Sequence, residues 1–168
     1  MPKIVENLQE RLMLAARQKI ESDGYAALTI RSVARACNVG VGTVYNYFPS
    51  KDALIASYLL SDWNECIAVI NEANAHTDSA QTVLLCIFEQ LTSFTRRHAA
   101  VFEDEAAAAS FSASFGKYHA MLRTQLAAPI RRFFENDFAA EFAAESLLVW
   151  TMDGHSFPEI FSVLGKLL

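Results

Sequence analysis

Residues that interrupt or cross-link a chain are scarce in this sequence. Its 168 residues include only 6 Gly, 4 Pro and 3 Cys, whereas 52% are hydrophobic. A chain so apolar and so rarely interrupted is folded and globular rather than disordered. The cysteines Cys37, Cys66 and Cys86 are odd in number and lack C-x-x-C spacing, which indicates neither a disulfide framework nor a zinc site. We therefore expect a reduced, cytoplasmic setting.

Features of membrane proteins and enzymes are missing as well. No stretch of about 18 uncharged apolar residues occurs, and charges at Lys3, Glu6, Glu10 and Arg11 interrupt any signal-peptide core. The sequence also lacks a nucleophile elbow, a phosphate-binding glycine loop and paired catalytic residues. We expect no membrane association, no enzymatic activity and no cofactor.

Histidines and carboxylates that suggest a metal site have a simpler interpretation. His98 and His119 have no recognised ligand spacing, so we expect no bound metal. The acidic cluster at residues 103–105 is typical of a solvated helix start, where carboxylates interact favourably with the helix dipole.

Positive charge is concentrated near the N-terminus. The formal net charge is −5, which by itself argues against nucleic acid as a partner. However, residues 1–52 hold seven Lys or Arg and five Asp or Glu, whereas residues 53–168 hold seven and fourteen. A mildly basic head on an acidic body fits a protein whose DNA contact is confined to one end.

Apolar spacing predicts three helices in the first 50 residues. A three- and four-residue repeat predicts a first helix that closes at residues 22–24, and its members are Leu8, Leu12, Ala15, Ala16 and Ile20. Thr29 is a suitable cap for a short second helix, which Asn38 and Gly40 interrupt because both residue types tolerate positive φ. A third short helix is expected over 41–48, and Pro49 ends it.

The remainder is also expected to be helical. A fourth helix is predicted from Lys51 into the Asn71 region, and a fifth over roughly 80–97. About four more should follow, with breaks near His98, near residues 112–116, near Asn136 and near 154–158. No strand pattern or internal repeat is found, so the predicted fold class is all-α.

The second and third helices match the helix-turn-helix plan, in which one helix supports and the other enters the major groove. Hydroxyl, amide and ammonium groups, which suit phosphate binding, are concentrated on and just after the third helix: Thr43, Tyr45, Asn46, Tyr47 and Lys51.

Three segments resemble the DNA-binding domain of the TetR family. They are residues 25–29 (YAALT), 33–36 (VARA) and 39–54 (VGVGTVYNYFPSKDAL), and the resemblance covers about the first 60 residues. It implies a helix-turn-helix domain over 1–60, with the motif at about 30–48, and a regulatory domain over 61–168. It further implies an all-helical homodimer that binds double-stranded operator DNA and an unknown small-molecule effector.

The resemblance also assigns roles to individual residues. Thr29 is expected to cap the second helix and touch a phosphate, and Arg31 to reach a base edge. Gly42 would allow close approach to bases, with Thr43 beside it. Tyr45, Tyr47 and Lys51 are expected to hold the phosphate backbone, and Asn46 to bind a base or a phosphate.

Two positions depart from the pattern, and some roles have alternatives. Many relatives have Ser where this chain has Gly40 and a polar or charged residue where it has Val41, which points to an unusual operator. Alternatively, Tyr45 and Tyr47 pack against the fourth helix, Lys51 is only solvated, and Arg31 and Arg35 are merely exposed.

The regulatory domain offers weaker candidates. Aromatic and polar residues that could line an effector pocket are Trp63, Phe94, His98, Phe102, Phe111, Tyr118 and His119. Such aromatics are equally suited to a core. The dense apolar residues of the last segment suggest a dimer interface, with Leu147, Trp150, Phe161 and Leu164 as candidates, or a cover for the chain's own core.

The expected function is a DNA-binding transcriptional regulator, a repressor released from its operator by a small molecule. The alternatives are a helical protein that binds small molecules and a protein-interaction module, both without sequence-specific DNA binding.

Overall fold

The chain is all-α, as predicted, in a computed structural model that describes residues 7–111 and 115–168. Within these ranges the α-helices are α1 Leu8–Asp23, α2 Ile30–Ala36, α3 Val41–Tyr47, α4 Lys51–Ala75, α5 Ala80–Arg97, α6 Ala99–Phe102, α7 Glu105–Phe111, α8 Phe115–Ile130, α9 Asp137–Met152 and α10 Phe157–Leu164. Short 3-10 turns occupy Tyr25–Ala27 and Arg131–Phe133.

Helix boundaries follow local chemistry. Helix α1 ends at Gly24, whose φ of 83° lies in a region that favours glycine. At the start of α2 the Thr29 hydroxyl accepts from Ser32 N at 3.0 Å, while Thr29 N donates to Ser32 Oγ at 3.1 Å. This reciprocal arrangement satisfies amide groups that have no partner inside the helix.

The helices of the structure differ from the predicted ones after residue 71. Helix α4 extends to Ala75, and the stretch after His98 forms two short helices, α6 and α7. Of the break predicted near residues 112–116, residues 112–114 lie outside the described part of the chain, and Gly116 belongs to α8.

The chain divides into two compact units. The first unit takes the described residues of Met1–Asp62 and His98–Ser112, and the second those of Trp63–Arg97 and Ala113–Leu168. The sequence-based boundary at residue 60 falls close to Asp62, but residues 98–111 were assigned to the regulatory domain and lie in the first unit.

Each unit has its own hydrophobic core. The core of the first unit includes Leu12, Ala16, Val33, Val44 and Phe48. Val101 and Ala107, from the later stretch that begins at His98, complete it. The core of the second unit is formed by α5, α8, α9, α10 and part of α4, and it includes Trp63, Ile70, Leu84, Leu126 and Leu147.

Helix α4 contributes to both cores. It is long and apolar enough, by length and composition, to cross a membrane. Its buried side chains instead pack inside the protein: Leu54, Ile55 and Tyr58 in the first unit, and Trp63, Cys66 and Ile70 in the second. The apolar composition of α4 is therefore that of a core helix serving two units.

A charged cluster lies inside the first unit. Asp62 of α4 is 2% exposed and forms an ion pair with Arg17 of α1. Its other carboxylate oxygen lies 3.0 Å from Nε2 of the buried His98. Tyr58 packs on the same cluster, with its ring centre 5.7 Å from that of His98, and burial raises the pKa of the Tyr58 hydroxyl.

We expect Asp62→Ala to lower the free energy of unfolding by about 2–3 kcal/mol, because it removes the carboxylate that faces two basic side chains in a buried site. The partial exposure of Arg17 places the effect below that of a fully buried pair. Urea unfolding followed by circular dichroism measures it. Asp23→Ala, which removes an exposed ion pair with Lys19, is the matched control and should leave the midpoint essentially unchanged. Equal effects of the two variants would contradict a stabilising role for the cluster.

Candidate nucleic-acid interface

A tight turn joins α2 to α3. Asn38 N donates to Arg35 O at 3.1 Å and Val39 N to Ala34 O at 2.9 Å, which closes α2. Asn38 has φ of 55°, the left-handed conformation that asparagine tolerates. Gly40 was expected to use the same conformational freedom, but its φ is −71° and it precedes α3 in an extended conformation. The turn therefore depends on Asn38 rather than on Gly40.

Helix α3 separates a buried face from an exposed one. Val44 is fully buried and Phe48, just after the helix, is 2% exposed. On the opposite face Tyr45 is 52%, Tyr47 46% and Val41 38% exposed. These two tyrosines therefore do not belong to the core, which was the alternative interpretation of their sequence pattern.

The remaining α3 residues share the exposed face. Gly42 and Asn46 are exposed and Thr43 is half-buried. A Cβ built on Gly42 would meet no atom within 4 Å. The chain itself therefore does not require glycine there, and the small residue leaves space in front of α3 for an external molecule.

The predicted residues of α2 lie at its exposed N-terminal end. Thr29 and Arg31 are both exposed. Within the part of the chain that the structure describes, the Arg31 guanidinium has no ion-pair or hydrogen-bond partner. Helices α2 and α3 pack against each other within the first unit.

Lys51 has an internal partner that the sequence did not reveal. Its Nζ donates to Tyr25 O at 2.6 Å and lies 3.6 Å from the centre of the Tyr25 ring. The hydroxyl of Tyr25 donates to Asp52 Oδ1 at 2.9 Å. Burial lowers the pKa of the Lys51 ammonium and raises that of the Tyr25 hydroxyl. Tyr25 thus holds the start of α4, while two N–H groups of Lys51 remain for another acceptor.

The predicted effector residues divide between the two units. Trp63, Phe94, Tyr118 and His119 belong to the second unit, whereas His98, Phe102 and Phe111 belong to the first.

Several residues that were predicted to line an effector pocket contact other residues of their own unit. Trp63 is buried, donates Nε1–H to Gln125 Oε1 at 2.6 Å and meets Phe94 edge-on at 5.5 Å between ring centres. Phe111 packs against the core of the first unit, and Phe102 lies edge-on to His98. His119 Nε2 lies 3.3 Å from Glu145 Oε1, while Tyr118 is 39% exposed. In the described ranges no group of three or more His, Cys, Asp or Glu side chains is placed to hold a metal ion.

The predicted dimer residues also separate into two kinds. Leu147 and Leu164 are buried in the core of the second unit, and Phe161 is half-buried and stacks on Phe157. These three side chains therefore pack within the second unit of their own chain. Trp150 is 47% exposed and packs edge-on against His155.

Other apolar residues of α9 are more exposed than the predicted ones. Phe138 is 78%, Phe142 47%, Val149 37% and Met152 49% exposed. Together with Glu145 they follow a 4-3-4-3 spacing, which places them on one side of a helix. We call these five residues the α9 stripe. The spacing was a usable signal in the sequence.

Comparison with known proteins places the matched segment at the N-terminus. Residues 12–58 match the family model of bacterial regulatory proteins, tetR family. The HTH-type transcriptional regulator UidR of Escherichia coli (strain K12) is 31% identical over 62 residues, which cover 37% of this chain and 32% of that protein. The HTH-type transcriptional repressor KstR of Rhodococcus jostii (strain RHA1) is 38% identical over 55 residues, 33% of this chain and 26% of that protein. The matched segments thus span about a third or less of these relatives.

Solved structures share the fold over nearly the whole chain. Salmonella enterica GusR superposes with a TM-score of 0.72 at 20% identity, covering 99% of this chain and 98% of that one. FadR from Bacillus subtilis, in complex with stearoyl-CoA, superposes with a TM-score of 0.56 at 18% identity, covering 94% and 96%. At these identities the likeness concerns the fold.

The contacts of Lys51 lead to a prediction. Lys51→Ala should lower the free energy of unfolding by about 1–2 kcal/mol, because it removes a charged hydrogen bond and a cation–π contact to Tyr25. Urea unfolding of the full chain tests this, with the exposed Lys166→Ala as the matched control. Unchanged stability of the Lys51 variant would assign this lysine no structural role.

Proposed function

Because this chain belongs to the tetR family of bacterial regulatory proteins through its N-terminal domain, we propose that it is a DNA-binding transcriptional regulator. It acts as a homodimer and represses transcription until a small-molecule effector releases it from its operator. The observation that carries this proposal is the exposed face of α3, where two tyrosines, an asparagine and an open glycine are presented by a helix anchored on its other side. Side chains of this kind position a helix in the major groove.

The two tyrosines are assigned to the phosphate backbone. Each phenolic hydroxyl can donate one hydrogen bond to a phosphate oxygen, and the exposed faces of Tyr45 and Tyr47 leave these hydroxyls accessible. Asn46, on the same exposed face, is assigned to a base or a phosphate, and Arg31 at the start of α2 to a base edge. Gly42 lets α3 approach the bases closely.

The α9 stripe is assigned to the dimer interface. Exposed large apolar side chains in a row are poorly tolerated in a monomer. Glu145, in the middle of the stripe, has partners within the chain: one carboxylate oxygen lies 3.8 Å from the Arg123 guanidinium and the other 3.3 Å from His119 Nε2. A stripe that repeats along one helix can pair with its own copy across a two-fold axis. Two recognition helices would then enter successive major grooves on one face of the DNA.

Release by an effector follows from linkage. A molecule that binds better to the conformation with displaced DNA-binding domains lowers operator affinity, and DNA must weaken its binding by the same factor. Helix α4 is the element through which we propose that coupling passes, because it begins at Lys51 near α3 and supplies core residues to both units. The FadR structure with stearoyl-CoA supports a ligand-binding role for this fold.

The first experiment tests DNA binding. Duplexes selected from genomic fragments by the wild-type protein are titrated by fluorescence anisotropy, with scrambled duplexes for comparison. Tyr45→Phe with Tyr47→Phe should weaken operator binding roughly 1,000-fold, since a dimer loses four hydroxyls and each contributes about 1 kcal/mol. Tyr118→Phe removes the hydroxyl of another exposed tyrosine, in the second unit, and should have no effect. A wild-type protein that selects no duplex over the scrambled control would refute the proposed function.

The second experiment tests the homodimer. Phe142→Asp with Val149→Asp places two charges on the α9 stripe and should convert the dimer to a monomer at micromolar concentration, because an apolar interface does not tolerate unpaired charge. Sedimentation velocity measures the change. Leu14→Asp with Leu60→Asp alters two exposed leucines of the first unit and should leave the dimer intact. A wild-type protein that sediments as a monomer would exclude this interface.

A further inference from the structure

A basic groove lies on the first unit between α1 and α2. It is open, has a volume of about 420 Å³, and is lined by Lys19, Thr29, Arg31, Ser32, Arg35 and Ala36. Three of these side chains are cationic, two carry hydroxyls and none is a carboxylate. In a chain with a net charge of −5, such a concentration of positive charge on one surface is suited to an anionic partner.

The two arginines of the groove are not engaged by the protein. Arg31 and Arg35 are four residues apart on α2, which places both on the same side of the helix, and both are exposed. Over the described ranges neither guanidinium has an ion-pair or hydrogen-bond partner. Each therefore keeps its full set of donors, in the planar arrangement that matches phosphate oxygens.

Lys19 joins the groove from α1. Its ammonium forms an ion pair with Asp23, one turn further along the helix, and both side chains are substantially exposed. Exposed pairs of this kind are weak, and a phosphate at the same point can replace the carboxylate. Asp23 lies in a smaller groove that adjoins the first and shares Lys19, Ser32 and Ala36 with it.

The groove includes Thr29 and Arg31, two of the residues that are predicted to contact DNA. The side chain of Thr29 accepts from Ser32 N, which leaves its own O–H free to donate. Lys19 of α1 and Arg35 of α2 line the same groove.

We infer that the groove between α1 and α2 binds a phosphate of the DNA backbone outside the bases faced by α3, through Lys19 and Arg35. This inference rests on the proposed function and adds a contact to it. A phosphate contact sets position and affinity and carries no sequence information, whereas bases are read by the side chains of α3 and by Arg31. Lys19 and Arg35 would therefore strengthen binding to every duplex and lengthen the footprint of the protein.

The salt dependence of binding tests this role. Each phosphate contact contributes about 0.9 to the slope of log K against log salt, so Lys19→Gln with Arg35→Gln should reduce the slope by about 1.8 in a dimer if one contact is lost per subunit. The ratio of operator to scrambled affinity should stay the same. Arg96→Gln with Lys166→Gln removes the same charge from exposed positions of the second unit and should leave the slope unchanged.

The outcomes separate the inference from the proposed function. Wild-type protein that binds no duplex specifically refutes the function. Specific wild-type binding with an unchanged slope in the Lys19 and Arg35 variant refutes only the inference. A reduced slope together with a reduced specificity ratio would assign the two residues to base contact and also overturns it. Circular dichroism of the variant confirms that it is folded, and Arg35→Lys with native Lys19 should retain the wild-type slope.

Two further measurements identify the source of the phosphate. Ethylation of single phosphates should interfere with wild-type binding at one position beyond each half-site, and this interference should disappear in the Lys19 and Arg35 variant. Titration with inorganic phosphate, followed by calorimetry, should show no saturable binding at millimolar concentration. Saturable binding of inorganic phosphate without any change in the ethylation pattern would make the groove a site for a free anion and overturn the inference.

Asp23→Asn should tighten binding to all duplexes, because it removes the carboxylate that competes for Lys19.

Discussion

Seven-residue helices are too short to be stable in water, and the candidate DNA surface is built on two of them. Their stability must come from burying one face. Val33 and Ala34 of α2 and Val44 of α3 supply that face, and Phe48 closes it. The exposed face of α3 is therefore held in place by the buried one, and every role proposed for Tyr45, Asn46 or Gly42 depends on this anchoring. Asn38 adds a second constraint, because its left-handed backbone sets the turn between the helices.

Positive charge is concentrated on α1 and α2, next to the helices that this anchoring holds in place. The positive groups of the first unit gather along α1 and α2, where Arg31 and Arg35 have no internal partners among the described residues. After residue 52, acidic residues outnumber basic ones by fourteen to seven. The proposed contact with DNA would therefore be favoured electrostatically at the surface of α1 and α2, before any hydrogen bond is formed.

The sequence predicted the elements whose limits are determined locally. Thr29, Gly24 and Pro49 act through their own backbone and nearest neighbours, and the first three helices lie close to where these residues indicate. The helical class, too, could be predicted, because few residues interrupt the apolar periodicity. The contact between Lys51 and Tyr25 could not, since it joins positions 26 residues apart and depends on how the chain folds back.

The candidate dimer residues illustrate a different limit. Helix α9 is apolar on several sides, so periodicity alone does not tell which side meets the core of its own chain. The leucines chosen from the sequence lie in that core, whereas Phe138 and Phe142 face outward. Burial is a property of the assembled core, and α9 acquires its two faces only when α5 and α8 have packed against it.

The exposure of the α9 stripe has a consequence for control in the cell. In the dimer that we propose, the active species is a product of association, and its concentration varies with the square of the concentration of monomer. Below the dissociation constant of the dimer, occupancy of a DNA site falls more steeply than the number of molecules. The rates of synthesis and of dilution at cell division would thus influence occupancy of the proposed DNA site, alongside any ligand.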